Sequence, residues 1–297
     1  MNLTGWVVYN GNLEDDSFVD FANMIEEAGD KQGISIKKIK NNDLLVYLSS
    51  DQLNFLTDQV DQLPDFVVFT DKDLYLARQL ENMGIPLFNN SYTIEVSDDK
   101  IKSYQLLAEA KVPIPETIIS PKVYYNHDKI DYSFLKYVIE KLKFPLILKE
   151  AFGSFGQQVY LIENEGQLLS KVKKLVDRPI LFQQFIDSSY GRDIRLQVVG
   201  EEVVTSMLRK SENDFRANIS SGGSMEPYKP TAEEKRLAIL AAKAVNADFA
   251  GVDILFGPNN TPLVCEVNSN AHIRNLYNCT GVNAADYIIK HIKNTLK

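Results

Sequence analysis

The stretch from Gly251 to Asn268 reads GVDILFGPNNTPLVCEVN, and it decides how the rest of the chain is interpreted. Two apolar runs flank the pair Asn259-Asn260, a pattern typical of a β-hairpin with a tight turn. A turn centred on those two asparagines places Asp253 directly opposite Glu266. Their carboxylates would then lie about 5 Å apart on one face of the hairpin.

Asn268 follows Glu266 by two residues and therefore points to the same face. Asp253, Glu266 and Asn268 together offer an all-oxygen donor set suited to Mg²⁺. The opposite face is expected to be apolar and to carry Ile254, Phe256, Cys265 and Val267. Opposed like charges in a buried hairpin are costly unless a cation or a proton lies between them, so the pattern favours a metal site. A catalytic acid/base pair and a purely structural pair are the alternatives.

A glycine-bearing loop precedes this hairpin in the chain. Gly153 and Gly156 flank Ser154 between two apolar runs, where backbone amides and a hydroxyl could cover phosphates. An ordinary turn is the alternative interpretation, because Gly and Ser are common turn residues. Lys149 ends the apolar run 144–149, which we interpret as a buried strand that brings this point charge to a cleft.

A second hairpin turns at Gly200-Glu201 and carries Asp193 and Arg195 on one strand face. Basic residues are concentrated here in an otherwise acidic protein, which is typical of anion capture in a cleft. They are Arg195, Arg209, Lys210 and Arg216. For Arg209 and Lys210, a solvated surface face is an equally weighted alternative.

The first 90 residues alternate strand-like and helix-like segments, which predicts a small doubly wound α/β domain. The loop after the strand at residues 5–9 lacks a G-x-G-x-x-G pattern, which argues against dinucleotide binding. Residues 89–99 are interpreted as a polar linker. Further along, Thr231 and Glu234 form a capping box that opens a long helix.

Composition excludes several classes of protein. The 297 residues carry a net charge of -8, which argues against non-specific binding to nucleic acid or to anionic membranes. Cys265 and Cys279 show no paired spacing, so neither a disulfide framework nor a cysteine metal site is predicted. No apolar run reaches the length of a membrane span and the first residues lack a signal-peptide pattern, so we expect a cytoplasmic protein.

Six short strings occur in an order that resembles the ATP-grasp superfamily, specifically the RimK-like amino-acid (glutamate) ligases, over roughly residues 90 to 295. They are Gln184-Phe185-Ile186, Gly191 to Arg195, Asp214 to Asn218, Gly222-Gly223, Ala250 to Asp253 and Glu266 to Asn268. The resemblance implies an ATP-grasp fold, with mixed α/β and α+β architecture, preceded by a small α/β domain. The expected domains are 1–90, 91–186 with the glycine loop, and 187–297 with the metal hairpin.

The resemblance also implies roles for individual residues. ATP would contact Lys100 and Lys149, the loop of Gly153, Ser154 and Gly156, the adenine-binding segment Gln184-Phe185-Ile186, the ribose ligand Asp193, and Arg216. Asp253, Glu266 and Asn268 would hold Mg²⁺ or Mn²⁺, with two metal ions expected. Arg195 and Arg216 would be the catalytic cations, and Asn218, Asn270 and His272 are the expected substrate contacts.

The reaction implied is the joining of a carboxylate to an amine, with ATP converted to ADP and phosphate through an acyl-phosphate. Such chemistry depends on positioning and charge neutralisation, which cations and Mg²⁺ supply. The partners would be small-molecule or peptide substrates, with no nucleic acid or membrane, and a homo-oligomer by analogy with the family. A non-catalytic ATP-binding module and an ATP-grasp kinase are the alternative functions.

The sequence departs from the family pattern directly after Asn268. Similar ligases typically continue with a Ser-Pro-Gly turn, whereas this chain reads Ser269-Asn270-Ala271-His272-Ile273-Arg274. Loss of Pro and Gly removes the special backbone shape of that turn. The sequence therefore leaves open which amino acid the enzyme adds.

Overall fold

The computed structural model of the chain describes residues 3–13, 16–51, 53–123, 130–154, 156–217 and 222–297. Three main sheets follow one another along the sequence, and a separate two-stranded hairpin accompanies the first of them. In the described residues, no helix has both the length and the apolar composition that a membrane crossing requires.

The first sheet is parallel, as the alternating pattern of residues 1–90 predicts. Its strand order is β2-β1-β5-β6, with β3 and β4 paired apart from it. The elements are β1 (Thr4–Tyr9), α1 (Asp16–Lys31), β2 (Ser35–Lys40), β3 (Leu45–Leu48), β4 (Leu53–Leu56), β5 (Phe66–Phe69), α2 (Leu74–Asn82) and β6 (Leu87–Phe88).

The segment expected to be a polar linker is instead the helix α3 (Ser91–Asp98), so that expectation is wrong. Asn90 caps it by accepting a 2.8 Å hydrogen bond from the backbone N–H of Thr93. Thr93, Ile94 and Val96 are buried. Apolar side chains spaced along one face thus outweigh the polar residues that bracket the segment.

The second sheet is antiparallel, with strand order β7-β10-β8-β9, and two helices pack around its apolar core. The elements here are α4 (Lys100–Glu109), β7 (Thr117–Ile119), α5 (Leu135–Leu142), β8 (Leu146–Glu150), β9 (Val159–Ile162), α6 (Glu165–Lys174) and β10 (Ile180–Gln184). All of β8 is buried, as predicted for the strand that ends near Lys149.

The third sheet is also antiparallel, in the order β13-β12-β11-β14-β15. It consists of β11 (Arg192–Val199), β12 (Glu202–Lys210), β13 (Ser224–Pro227), β14 (Phe249–Phe256) and β15 (Pro262–Asn268), with α7 (Ala232–Ala244), α8 (Arg274–Thr280) and α9 (Ala284–Thr295). The predicted capping box is confirmed, because Thr231 and Glu234 each accept the other's backbone N–H.

The first and third sheets share one apolar core. Residues of β1, β5 and α1 pack with Val199, Phe249, Ile273 and the buried face of α9. Asn89 is fully buried between them: its amide donates to the carbonyls of Phe249 (2.8 Å) and Ser269 (2.9 Å) and accepts from the backbone N–H of Asp248. These contacts fix the N-terminal sheet against the hairpin formed by β14 and β15.

Candidate functional site

A cleft of about 670 Å³ is lined by residues of the second and third sheets and by loops that follow β1 and β5 of the first. Every site residue predicted from the sequence lines it, except Asn218, which lies outside the described residues. The set is Lys100, Lys149, Gly153, Ser154, Gly156, Gln184, Phe185, Ile186, Asp193, Arg195, Arg216, Asp253, Glu266, Asn268, Asn270 and His272. Residues distant in sequence therefore meet in one cavity large enough for a nucleotide and a small substrate.

The β14-β15 hairpin pairs Asp253 with Glu266 and Gly251 with Asn268, as predicted. Near the turn, however, Ile254 faces Val264, so the turn is centred on Asn259 rather than between the two asparagines. A β-bulge between Asp253 and Ile254 restores the predicted pairing. The bulge also brings Cys265 to the cleft, so its expected place on the apolar face is wrong.

Two arginines engage the carboxylate of Asp253. Arg195 donates to its two oxygens at 2.7 Å each, and Arg209 donates to Oδ2 at 2.8 Å. Arg209 also makes a two-pronged bond with Asp193, at 2.7 and 2.8 Å. The arginine is only 5 % exposed, so its interpretation as a solvated surface residue is wrong, whereas Lys210 does lie on the surface with Glu226.

Burial and charge act in opposite directions on these two acids. Burial alone would raise the pKa of Asp253, but Arg195 and Arg209 outweigh it and lower that pKa. For Asp193, burial outweighs the attraction of Arg209 and raises the pKa. Both oxygens of Asp193 accept from Arg209, so its expected contact with a ribose stays a prediction.

The donor set fits a hard divalent cation. Glu266 has its side chain 35 % exposed toward the cleft, with Lys100 Nζ at 3.7 Å from Oε1. The amide nitrogen of Asn268 is buried and has no hydrogen-bond partner among the described residues, and the amide oxygen is a suitable metal ligand. Among the residues described, no three His, Cys, Asp or Glu side chains cluster to hold a metal, so this amide would have to complete the set.

Three cations hold the glycine loop. Lys100 Nζ donates to the Gly153 carbonyl at 3.0 Å, Lys72 Nζ to Ser154 Oγ at 3.2 Å, and Arg216 to the Gly156 carbonyl at 2.5 Å. Gly153 has φ 143°, and a Cβ there would lie 2.2 Å from the Gln158 side chain. The loop thus requires glycine at this position and stays close to positive charge.

Lys149 is buried at the base of the cleft, where Nζ donates to the Tyr104 hydroxyl at 3.0 Å and lies 3.8 Å from Cys265 Sγ. Burial alone would lower the pKa of Lys149, but Cys265, Tyr104 and Glu266 outweigh it and raise the pKa. Burial raises the pKa of Tyr104 to about 12. Lys149 is therefore a fixed positive charge, which suits a phosphate.

Aromatic rings gather at the far end of the cleft, beyond β10. The Phe185 ring meets Tyr190 and Phe215 edge to face, with centroids 6.3 and 6.4 Å apart. Gln184, Phe185 and Ile186 line the same end. A flat aromatic base such as adenine fits this environment.

The N-terminal domain contributes a wall that the sequence analysis missed, formed by Asp71 and Lys72. The loop after Asn268 docks against it: Asn270 Nδ2 donates to the Thr70 carbonyl at 2.6 Å, and Arg274 makes a two-pronged ion pair with Asp20. The only hint in the sequence is a carboxylate directly after an apolar strand, which is too common to single out.

Known proteins share this architecture. Residues 97–292 match a model of the RimK-like ATP-grasp domain. A probable alpha-L-glutamate ligase of Maridesulfovibrio salexigens is 36 % identical over 221 residues, which cover 73 % of this chain and 70 % of that protein. Among solved structures, a RimK-domain ATP-grasp protein of Sphaerobacter thermophilus has TM-score 0.70 at 19 % identity, covering 97 % and 99 % of the two chains. The ATP-grasp ligase PsnB, complexed with a phosphomimetic variant of its minimal precursor, Mg and ADP, has TM-score 0.70 at 17 % identity, with both chains covered in full. The predicted ATP-grasp fold is confirmed.

Proposed function

The chain belongs to the RimK-like ATP-grasp family, and on that premise we propose that it is an ATP-dependent carboxylate-amine ligase. It joins an amino acid to a carboxylate of a second amino acid, a peptide or a protein terminus. ATP is converted to ADP and phosphate. The observation that carries this proposal is the meeting of the glycine loop, the oxygen donor set and the arginines in one cleft.

ATP would lie with its base beside Phe185 and its phosphates beneath the loop of Gly153 to Gly156. Lys100 and Lys149 would face those phosphates, since both line the cleft and both are largely buried. A Mg²⁺ ion held by Asp253, Glu266 and Asn268 would neutralise phosphate charge during transfer. A second metal ion, and Mn²⁺ in place of Mg²⁺, remain predictions.

Arg195 and Arg216 supply positive charge where a carboxylate accepts the transferred phosphoryl group. Asp214 orients Arg216 by accepting from its guanidinium at 2.7 and 3.0 Å. Arg195 is oriented in the same way by Asp253. Charge neutralisation by preorganised donors is the main contribution expected from the protein in phosphoryl transfer.

L-Glutamate is the first amine to test, because the relative from Maridesulfovibrio salexigens is named a probable alpha-L-glutamate ligase. The departure of residues 269–274 from the family turn lies beside the expected amine position. If the enzyme adds an amino acid other than glutamate, the altered sequence of this loop is where that substrate would be accommodated. Asn270 and His272 line that part of the cleft and are proposed substrate contacts.

The test is to incubate the purified protein with ATP, Mg²⁺, L-glutamate, the other amino acids and a pool of small carboxylates and peptides. ADP release and product mass are recorded together. ADP that forms only with a particular pair, with a mass gain of one amide bond, would support the ligase and name its substrates. A phosphorylated product without an amide would indicate a kinase, and tight ATP binding without turnover would indicate a regulatory module.

A further inference from the structure

The parallel sheet of the N-terminal domain has a topological switch point beside the cleft. From β1 the chain moves outward to β2, whereas from β5 it moves outward on the other side to β6. In open parallel sheets, ligands bind in the crevice at the carboxyl ends of the two strands where the order reverses. Asn10 follows β1 at this crevice, and Asp71 follows β5 after Thr70.

Asp71 lines the cleft and is 8 % exposed. Its two oxygens accept from the Asn10 amide at 3.3 and 3.2 Å. The other carboxylates that line the cleft each pair with a lysine or arginine: Asp98 with Lys72, Asp193 with Arg209, Asp253 with Arg195, and Glu266 with Lys100. Within the described parts of the chain, Asp71 has no such ion pair. A buried carboxylate without a cation is costly, which indicates that a cation binds there.

Asp71 lies between the loop proposed to contact the amine substrate and the glycine loop proposed to cover the phosphates of ATP. The residue before it is Thr70, whose carbonyl accepts a hydrogen bond from Asn270 in the loop after the β14-β15 hairpin. The residue after it, Lys72, donates to Ser154 in the glycine loop. Of the carboxylates on this loop, Asp71 is the one that lines the cleft, so it faces the region where the activated carboxylate and its attacking amine must meet.

We propose that Asp71, oriented by Asn10, binds the ammonium group of the incoming amino acid and accepts the proton that this group must lose. The proposal rests on the proposed ligase function. One proton moves from the substrate nitrogen to the Asp71 carboxylate. The freed lone pair then attacks the acyl-phosphate carbonyl, the bond from that carbon to the phosphate oxygen breaks, and the second proton leaves with the phosphate.

The surroundings of Asp71 suit this role. Burial raises its pKa, which brings the carboxylate closer to the basicity needed in a proton acceptor, while Lys72 and the Asn10 amide limit the rise. Asp73 on the same loop raises the pKa further. The other charged and titratable groups that line the cleft are Asp98, Lys100, Lys149, Arg192, Asp193, Arg195, Arg209, Arg216, Asp253, Cys265, Glu266 and His272.

The first test measures binding without turnover. An equimolar mixture of the twenty standard amino acids is added to the wild type and to Asp71→Asn, and bound species are detected by ligand-observed NMR and then titrated singly. Asp73→Asn is the matched control, because it removes one charge from the same loop and asparagine also caps α2 well. We expect the wild type and the control to bind at least one amino acid and Asp71→Asn to bind it about 10-fold or more weakly. Equal affinity in all three proteins, or no binding by the wild type, would overturn the proposal.

The second test separates proton acceptance from structural support. Hydroxylamine is largely unprotonated at neutral pH and traps an acyl-phosphate as a hydroxamate without needing a base. With the carboxylate that supports turnover, Asp71→Asn should form hydroxamate at the wild-type rate but amide about 100-fold more slowly. Its amide rate should rise toward the wild type as pH increases, because solvent then deprotonates the amine.

Equal losses of hydroxamate and amide, or an unchanged pH profile, would show that Asp71 only supports the fold and would refute the role proposed for it. The outcome for the ligase itself is separate. If the wild type forms neither product while binding of amino acids still depends on Asp71, then the ligase function fails and the ammonium site stands.

Discussion

Arg195 donates two hydrogen bonds of 2.7 Å to the carboxylate of Asp253, the residue that faces Glu266 across the hairpin. A divalent cation bound between Asp253 and Glu266 would share these oxygens with the guanidinium. Asp253 would then orient both the metal ion and Arg195. Arg209 stays tied to Asp193 and would keep Asp253 in place.

Glu266→Ala should abolish Mg²⁺-dependent turnover, with a loss of at least about 100-fold, because one of only two carboxylate ligands disappears. The side chain is partly exposed, so the melting temperature should stay close to that of the wild type. ADP release across a Mg²⁺ titration and a thermal melt check both points. Glu201→Ala, a charge removal on an exposed surface pair, is the control. Near-normal turnover in Glu266→Ala would contradict the metal assignment.

Lys149→Met should weaken ATP binding by about 10-fold or more, equivalent to about 1.4 kcal/mol. The lysine is a buried positive charge near the phosphate loop, and methionine fills its space without the charge. Calorimetric titration with ATP gives the affinity. Lys141→Met, which removes an exposed lysine paired with Glu116, should leave it unchanged. An unchanged affinity for Lys149→Met would remove this residue from the phosphate site.

Arg209→Met should lower the free energy of unfolding by about 3 to 5 kcal/mol, because two buried carboxylates lose their shared cation. Urea denaturation at neutral pH measures the change. Arg236→Met removes an exposed arginine that pairs with Glu233 one helical turn away, and it should leave the free energy of unfolding close to that of the wild type. Similar losses in the two variants would mean that the buried pairs contribute no more than surface ones.

Asp214→Asn should reduce turnover about 10-fold with little effect on ATP affinity, because Arg216 loses the carboxylate that orients it. The hydrogen bond with Arg216 lowers the pKa of Asp214 in the folded protein. A lowered pKa means that the pair stabilises the fold above the ordinary aspartate pKa of about 3.9, and that this stability is lost as pH falls through the lowered pKa. Stability curves of variant and wild type should therefore differ by less than about 1 kcal/mol at neutral pH and converge in acid. Stability curves that diverge in acid would contradict the inference that the charge of Asp214 orients Arg216.

The pairing of Asp253 with Glu266 could be predicted from the sequence, although that prediction assumed a regular hairpin without a bulge. The turn is centred on Asn259, half a residue earlier than expected, which shifts the pairing by one, and the bulge at Cys265 shifts it back by one. Alternating side chains fix which residues share a face, but a bulge depends on contacts across the sheet. The sequence of the hairpin alone therefore could not predict that Cys265 faces the cleft.

Residues whose role depends on distant partners could not be predicted. Arg209 is buried because Asp193 and Asp253 surround it, and Asp71 stands out because, among the described residues, it forms no ion pair with a lysine or arginine. Neither fact is local in sequence. By contrast, the glycine loop and the strand that carries Lys149 have local signatures, and the structure places both at the cleft. The divisions at residues 90 and 186 remain predictions, as does a cytoplasmic location.

The core shared by β1, α1 and α9 has a consequence for how such enzymes change over evolution and in the laboratory. Recombination at the start of the ATP-grasp region would separate α1 from the helix it packs against, and would leave Phe249 and Ile273 facing an unmatched surface. Because Asp71 arrives with the same N-terminal segment, a new amine preference would be inherited together with a compatible C-terminal helix. Chimaeras of two relatives should therefore be built by exchanging both chain ends at once.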